Sequence, residues 1–201
     1  MHLETALRGI LVSERWPKSG VDVVITVLEG EEDRHDNQVI TQSGVDLGQN
    51  KGWGMMSLLS GCITVASAAI ADAGIDCIDL VTGGVAAMVR QPKTSLQRAK
   101  SRVKSDRSDL ADEILADPCP AEHEDLQVVC VVGYIQSRDE LTEIWVRGKA
   151  LEGKNESEDQ AGLDMLLDRA VEAAVAARLV VVGAINESTE TKIQKARIDQ
   201  S

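Results

Sequence analysis

Acidic side chains surround a histidine in a short segment near the middle of the chain. Asp117 is followed by Glu122, His123 and Glu124, and carboxylates beside an imidazole are groups that proteins use as general acids, general bases or metal ligands. Residues this close on one loop need a second cluster to enclose a metal ion. The sequence has no Cys-x-x-Cys pair and no Cys/His group at metal-binding spacing. We therefore predict that the chain binds no metal and no cofactor.

A second charged segment has the opposite sign. Seven Lys and Arg residues lie from Arg90 to Arg107, in a chain whose net charge is −12. One interpretation is a basic strip that contacts RNA phosphates or an acidic neighbour, and the other is a solvated loop, which is how most charge runs behave. No aromatic residue is interleaved, so stacking on bases is not available. The candidates for RNA contact are Lys93, Arg98, Lys100, Arg102 and Lys104.

The composition limits both the partners and the compartment. A chain of 201 residues suits a single domain, and with no Phe and three Trp its core has to be built from Val, Leu, Ile and Ala. The net charge of −12 argues against autonomous binding to nucleic acid or to an anionic membrane surface, although partner chains could supply positive charge. Four isolated cysteines indicate a reducing compartment. We expect no membrane-spanning segment and no signal peptide.

Periodic apolar patterns predict three helices and five strands. The helices are predicted at 1–14, from Met55 to Ala73 and along an apolar stripe at 163–184, and the strands at 21–28, 78–89, 111–118, 126–134 and 141–147. This order is typical of an α+β domain with helices packed on a mixed sheet. Ser157 and Gln160 have the spacing of a capping box at the start of the last helix, and the tail from Glu187 is predicted to fray.

Small residues indicate where the second helix is expected to meet the sheet. Ala66 and Ser67 would allow this helix to lie close to a strand, and Gly74 is expected to end it. The pair Gly83-Gly84 inside the following strand indicates either a bulge or a close approach of another backbone.

Three motifs occur in an order that is found in one protein family. A helix from Leu3 is followed by the turn 17–20 (Pro-Lys-Ser-Gly) and a strand, the second helix closes with 71–75 (Ala-Asp-Ala-Gly-Ile), and Asp117-Pro118 precedes a hairpin at 133–144. These motifs cover roughly residues 3–185 and resemble the RNase PH family, most closely the RNase PH-like ring subunits of the eukaryotic RNA exosome.

The resemblance implies a fold and a role. The implied fold is the C-terminal portion of an RNase PH-like (ribosomal protein S5 domain 2-like) domain at 1–186, with a polar tail at 187–201. Rings of this kind hold six such chains around an RNA channel. The implied partners are the other ring subunits, the cap proteins and RNA in the assembled channel, without a membrane, and the implied location is the nucleus, nucleolus and cytoplasm. The family's N-terminal sheet-and-helix unit, which carries RNA-contacting basic residues, does not precede the first helix in this sequence.

Two departures from the family pattern indicate a catalytically inert chain. Active members hold phosphate in a Gly-rich turn with a hydroxyl and an Arg, and the corresponding segment here is 55–59 (Met-Met-Ser-Leu-Leu), with Leu59 about where the Arg is expected. Active members also place two acidic residues six apart, whereas Asp117 is followed six residues later by His123. Asp117 and Glu122 are then vestigial acidic positions. A shifted register that uses Glu122 would instead indicate an active phosphorolytic 3′-5′ exoribonuclease with a divergent site, and a small acidic binding module unrelated to RNA is a third interpretation.

Overall fold

The described part of the chain, seen in a computed structural model, contains three helices and a four-stranded sheet. It comprises residues 2–12, 14, 18–29, 53–92, 110–119, 122–123, 126–148 and 156–198. The helices are α1 (His2–Arg8), α2 (Trp53–Asp72) and α3 (Glu156–Ile198). The strands are β1 (Val81–Pro92), β2 (Leu110–Ala116), β3 (Leu126–Ile135) and β4 (Glu140–Gly148). The predicted α+β class is confirmed.

The sheet runs in the order β2-β1-β3-β4, and every neighbouring pair is antiparallel. The prediction of a mixed sheet is therefore wrong for these strands, because β1 pairs directly with both β2 and β3 and no parallel pair requires a crossover helix. The predicted hairpin of β3 and β4 is confirmed. Its turn is held by the Tyr134 hydroxyl, which donates to Asp139 Oδ1 at 2.7 Å and whose pKa is raised by that hydrogen bond.

β1 is the strand around which the domain is layered, because α2 lies on one face of it and α3 on the other. A Cβ atom on Gly83 would lie 2.6 Å from Ser60 Cα in α2, and a Cβ atom on Gly84 would lie 2.6 Å from Ala174 N in α3. Successive strand residues face opposite sides of a sheet, so each glycine admits one helix. The predicted close approach is confirmed, whereas the irregularity in β1 pairing lies further along, at Met88.

Layers of mainly aliphatic side chains fill the space between the sheet and these helices. The layer beneath α3 contains Ala86, Met88, Val128, Cys130, Val132, Tyr134, Leu166, Ala170 and Ala174. The layer beneath α2 contains Trp53, Met56, Val85, Ala87, Val89, Leu126, Val129 and Val131. Ala66 and Ser67 are both 1% exposed, which confirms that small residues bring α2 close to the sheet. Burial raises the pKa of Cys130 to about 11, so its thiol stays protonated at neutral pH.

α2 ends where the sequence predicts. Gly74 adopts a positive φ of 72°, Ile75 N donates to Ile70 O at 3.2 Å, and Gly74 N donates to Ala71 O at 3.0 Å. These two bonds form a Schellman motif, which satisfies carbonyls that the helix would otherwise leave without partners.

α1 is shorter than predicted, since it ends at Arg8 instead of residue 14. Gly9 follows directly and disfavours continued helix. Beyond it the backbone pairs with the segment after α2: Ile78 N donates to Ile10 O at 2.8 Å, and Val12 N donates to Asp76 O at 3.2 Å. Tertiary hydrogen bonds therefore replace the last predicted turn of this helix.

Segment 21–28, predicted to be a strand buried on both sides, forms no strand among the described residues. Val24 and Leu28 are 89% and 94% exposed, and Ile25 packs only partly against the cluster between α1 and α2. The prediction is wrong for this structure because no described strand lies alongside to complete the backbone ladder. An alternating apolar pattern shows the tendency to form a strand but does not identify its partner.

α3 extends beyond its predicted end. It continues past Glu187, where the tail is predicted to fray, and reaches Ile198. Lys192 Nζ donates to Asp72 Oδ1 at 2.6 Å, which lowers the pKa of Asp72 and holds this half of α3 beside the end of α2. The side chains of the predicted capping pair lie outside those that the structure describes.

Gly83→Ala should destabilise the domain by about 2–3 kcal/mol, because the added methyl group overlaps the backbone of α2 and cannot be accommodated by a side-chain movement. Gly61→Ala is the matched control, since no atom lies within 4 Å of the added Cβ and alanine in a helix interior should stabilise by about 1 kcal/mol. Urea denaturation monitored by circular dichroism measures both changes. Equal stability of the two variants would contradict the close approach.

Candidate functional site

The start of α2 is the segment to which the resemblance to the RNase PH family assigns the anion site of active members. Here Met56 is fully buried, and the partly buried Leu59 packs against both of the hydrophobic clusters that α2 shares with the sheet. Met55 and Leu58 are 60% and 38% exposed. The first turn carries no acidic residue and also no Lys or Arg. The helix dipole remains, but no side chain in this turn can neutralise a phosphate.

Asp117 lies directly after β2, at the end of the strand. Its backbone has a positive φ of 48°, and its N–H donates to Val85 O at 2.8 Å, which ends the pairing of β2 with β1. Glu122 and His123 belong to a following turn in which both backbone N–H groups donate to Cys119 O, at 3.0 and 3.2 Å. Glu122 and Asp117 are both exposed, and Glu124 lies outside the described residues.

A cleft of about 570 Å³ opens beside Asp117, between α2 and α3. We call it the sheet-edge cleft, because β2 stops at Ala116 and the first residues of β1 form its floor. Its walls are hydroxyl residues of α2 and small residues of α3. Among the lining residues that the structure describes, Asp117 is the only charged one. A cleft whose single charged lining residue is a carboxylate repels a phosphate.

Two hydroxyls of α2 already accept hydrogen bonds from the backbone of β1. Thr64 Oγ1 accepts from Gly83 N at 2.9 Å and donates to Ser60 O at 3.1 Å, and Ser67 Oγ accepts from Val81 N at 3.0 Å. These bonds satisfy strand N–H groups that face the position where β2 would continue. The hydroxyls therefore close an open sheet edge. The sequence gives no sign of this role, since Ser and Thr within a helix pattern usually indicate polarity alone.

The predicted RNA-contact residues lie outside the described part of the structure. These are Lys93, Arg98, Lys100, Arg102 and Lys104. Arg90 lies within β1, and its register partner is Asp112 of β2. β1 ends at Pro92, directly before the basic segment 93–104 in the sequence, whereas the first residues of β1 form the floor of the sheet-edge cleft. Both interpretations of the segment remain predictions.

A charged contact that sequence reasoning missed joins α3 to the sheet. Arg178 donates to Asp79 Oδ1 at 2.9 Å, and Asp79 also accepts from its neighbour Leu80 N at 2.8 Å and from Ser137 N at 3.1 Å. Burial raises the pKa of Asp79, but the hydrogen bonds led by Arg178 outweigh it and hold that pKa below the ordinary aspartate value. Arg178 and Asp79 are 99 positions apart, so no local pattern predicts the pair.

α2 also corrects the expectation about membranes. Among the described helices, it is the one whose length and composition would allow it to cross a bilayer. No such segment is expected from the sequence. Helices in the cores of soluble proteins have the same length and composition, and α2 buries one face against the sheet.

Two curated proteins match nearly the whole of this chain. It is 41% identical over 188 residues to "Exosome complex component MTR3" of Chaetomium thermophilum, a match that covers 94% of the chain and 56% of that protein. It is 27% identical over 181 residues to "Exosome complex component mtr3" of Schizosaccharomyces pombe, covering 89% of the chain and 51% of that protein. The chain thus spans about half the length of these relatives. No protein-family model matches it.

Asp79→Asn should lower stability at pH 7 by about 1–2 kcal/mol, because Arg178 then loses its charged acceptor. The folded pKa of Asp79 is depressed, so its contribution is present above the unfolded value of about 3.9 and is lost as pH falls through the folded value. The difference between the two proteins should therefore shrink below about pH 4. Urea titrations at pH 7, 5 and 3.5 measure it. A variant as stable as the parent at pH 7 would contradict this role, and Asp72→Asn, in an exposed ion pair, is the control expected to change least.

Proposed function

This chain is a homologue of the exosome components named MTR3 over nearly its whole length, and from this premise we propose that it is a non-catalytic structural subunit of the RNA exosome core ring. This proposal agrees with the resemblance of the sequence to the RNase PH-like ring subunits. Among those subunits, the sequence most resembles the one known as the mRNA transport regulator. In this role the chain supports 3′-5′ RNA processing and degradation, including that of ribosomal RNA, by helping to form the RNA channel.

The observation that carries the non-catalytic part is the start of α2. A phosphorolytic enzyme has to hold inorganic phosphate beside the RNA end, and cations or aligned N–H groups perform that task. Here Met56 lies in the core and the partly buried Leu59 packs against it. No cation lines the sheet-edge cleft among the residues that the structure describes. The hydroxyls of Thr64 and Ser67 are engaged by β1. Scaffolding is the role that this chemistry supports.

The charge of the chain bears on how it takes part in RNA binding. With a net charge of −12, its surface as a whole repels phosphates. RNA would therefore be held by the assembled channel, where other ring subunits and cap proteins contribute positive charge. The segment at 93–104 is the part of this chain with a suitable sign. We place the protein in the nucleus, nucleolus and cytoplasm, reducing compartments in which its free cysteines remain unpaired.

Assembly with the other subunits of the exosome ring tests the structural role. The full chain, mixed with the remaining ring and cap subunits, should enter one complex of defined mass in size-exclusion chromatography with light scattering. The proposal would be contradicted if the chain stayed monomeric in the mixture and the other subunits formed a complex whose mass and stability did not depend on its presence.

A phosphorolysis assay tests whether the chain lacks catalytic activity. The assembled complex should release no nucleoside diphosphate from a short RNA on addition of phosphate, and Asp117→Ala should change nothing, because no phosphate is held near that carboxylate. The readout is chromatography of the nucleotides. Phosphate-dependent release that Asp117→Ala abolishes, with His123→Ala as a neighbouring control, would instead establish the active exoribonuclease with a divergent site.

A further inference from the structure

The Asp117 carboxylate, which lines the sheet-edge cleft, is not used by the fold. It is exposed, and it forms no hydrogen bond or ion pair with the residues that the structure describes. Asp72 and Asp79, in contrast, are each paired with a basic residue of α3. The backbone N–H of Asp117 donates to Val85 O at 2.8 Å, so the end of β2 fixes this residue beside the cleft. Its carboxylate is therefore available to a ligand.

The other polar side chains that line the cleft are hydroxyls of α2. Thr64 is already bonded to β1 and to its own helix, whereas the hydroxyls of Ser57 and Ser60 form no hydrogen bond within the described part of the chain. Both serines are half-buried, and they lie on one side of the helix because they are three positions apart. A carboxylate only accepts hydrogen bonds, and hydroxyl oxygens accept them as well. The cleft therefore suits a ligand that carries several donors.

The wall that α3 contributes to the cleft is aliphatic. It consists of Ala173, Ala176, Ala177 and Val180, and Val85 lies in the floor. An alkyl chain placed along these side chains would remove their methyl groups from water, which is favourable. The volume of about 570 Å³ is that of a small-molecule site, in which apolar walls and a few polar groups are combined.

This lining discriminates between classes of ligand. Protein sites for Ca²⁺ and Mg²⁺ rely on several carboxylates or on a bound phosphate, and the described lining provides one carboxylate. Quaternary ammonium groups are held by aromatic rings, none of which is among the lining residues that the structure describes. A primary ammonium group has three N–H donors and no acceptor. It matches a carboxylate that stands beside two hydroxyls.

We propose that the sheet-edge cleft binds a linear aliphatic amine, with the ammonium group at Asp117 and the alkyl chain along the alanines of α3. Ser57 and Ser60 are the acceptors in the same cleft for the remaining N–H donors. Diamines and polyamines are the natural compounds of this class. Because all of these residues belong to one chain, the inference does not depend on the proposed place of the chain in the exosome ring.

Methyl NMR of the full chain, labelled at its alanines, tests this assignment with butylamine as the probe. The amine is cationic at pH 7, and salt at about 0.15 M screens long-range attraction to the acidic chain. The methyl signals of Ala173, Ala176 and Ala177 should shift and saturate with a Kd of about 1–10 mM, as expected for so small a ligand. The signal of Ala6, which does not line the cleft, should stay unchanged. Butanol has the same shape without the charge and should bind at least about fivefold more weakly.

Two pairs of variants test the polar and the apolar part of the cleft separately. Asp117→Asn, which keeps the shape of the side chain and tolerates a positive φ, should weaken butylamine binding at least about fivefold because the charged acceptor is lost. Glu122→Gln, in the exposed turn that follows, is its control and should bind normally. Ala176→Leu should weaken binding to a similar extent by filling the space along α3, whereas Ala184→Leu, also exposed on α3, should not. Circular dichroism melting establishes that each variant remains folded.

The inference would be overturned by binding that either Asp117→Asn or Ala176→Leu leaves unchanged, or by the absence of any shift in the three alanine signals. It would also be overturned if the shifts never saturated and were larger with spermidine than with butylamine in the parent and in Asp117→Asn alike. That behaviour is the general attraction of cations to a chain with a net charge of −12. None of these outcomes bears on assembly of the ring, which is measured separately.

Discussion

The two adjacent glycines of β1 are the constraint on which the rest of the domain depends. Because neither Gly83 nor Gly84 has a Cβ atom, the backbones of α2 and α3 reach opposite faces of one strand. That approach brings Thr64 and Ser67 to the N–H groups of β1. The strand edge that the short β2 leaves open is then occupied by hydroxyls. One pair of residues thus determines the layer spacing, the floor of the sheet-edge cleft and the way in which the edge is closed.

Most of the elements could be predicted because their signals are local. The end of α2 at Gly74 follows from a turn that glycine adopts at little cost, and continuous apolar runs indicate the central strands. The failures concern partners distant in sequence. Segment 21–28 has a strand pattern without a described neighbour, and α1 is cut short by hydrogen bonds to residues beyond α2. The Arg178–Asp79 pair depends on α3 lying across the start of β1, which no single element reveals.

In the candidate site, too, local features could be predicted from the sequence and contacts between distant residues could not. That Leu59 stands where a cation is expected can be read from the sequence, since a residue's identity limits the ligands it can hold. That Met56 is buried, that Leu59 packs against the core, and that Thr64 and Ser67 are already bonded to β1 is visible only in the packed structure. Sequence therefore predicts that no anion is held at this place, and the structure shows which of the neighbouring groups are occupied by packing and hydrogen bonds.

The charge and the apolar surface of this chain suit contacts with protein better than contacts with RNA. Repulsion between an acidic surface and phosphates is screened beyond about 8 Å at physiological ionic strength, so an acidic chain is tolerated near RNA provided that it is not the surface in contact. Contacts through an uncharged aliphatic helix depend little on salt, because their free energy comes from apolar area removed from water. A chain with a net charge of −12 and a helix that is uncharged from Trp53 to Ala71 therefore offers apolar area for contacts with protein and little attraction for phosphates.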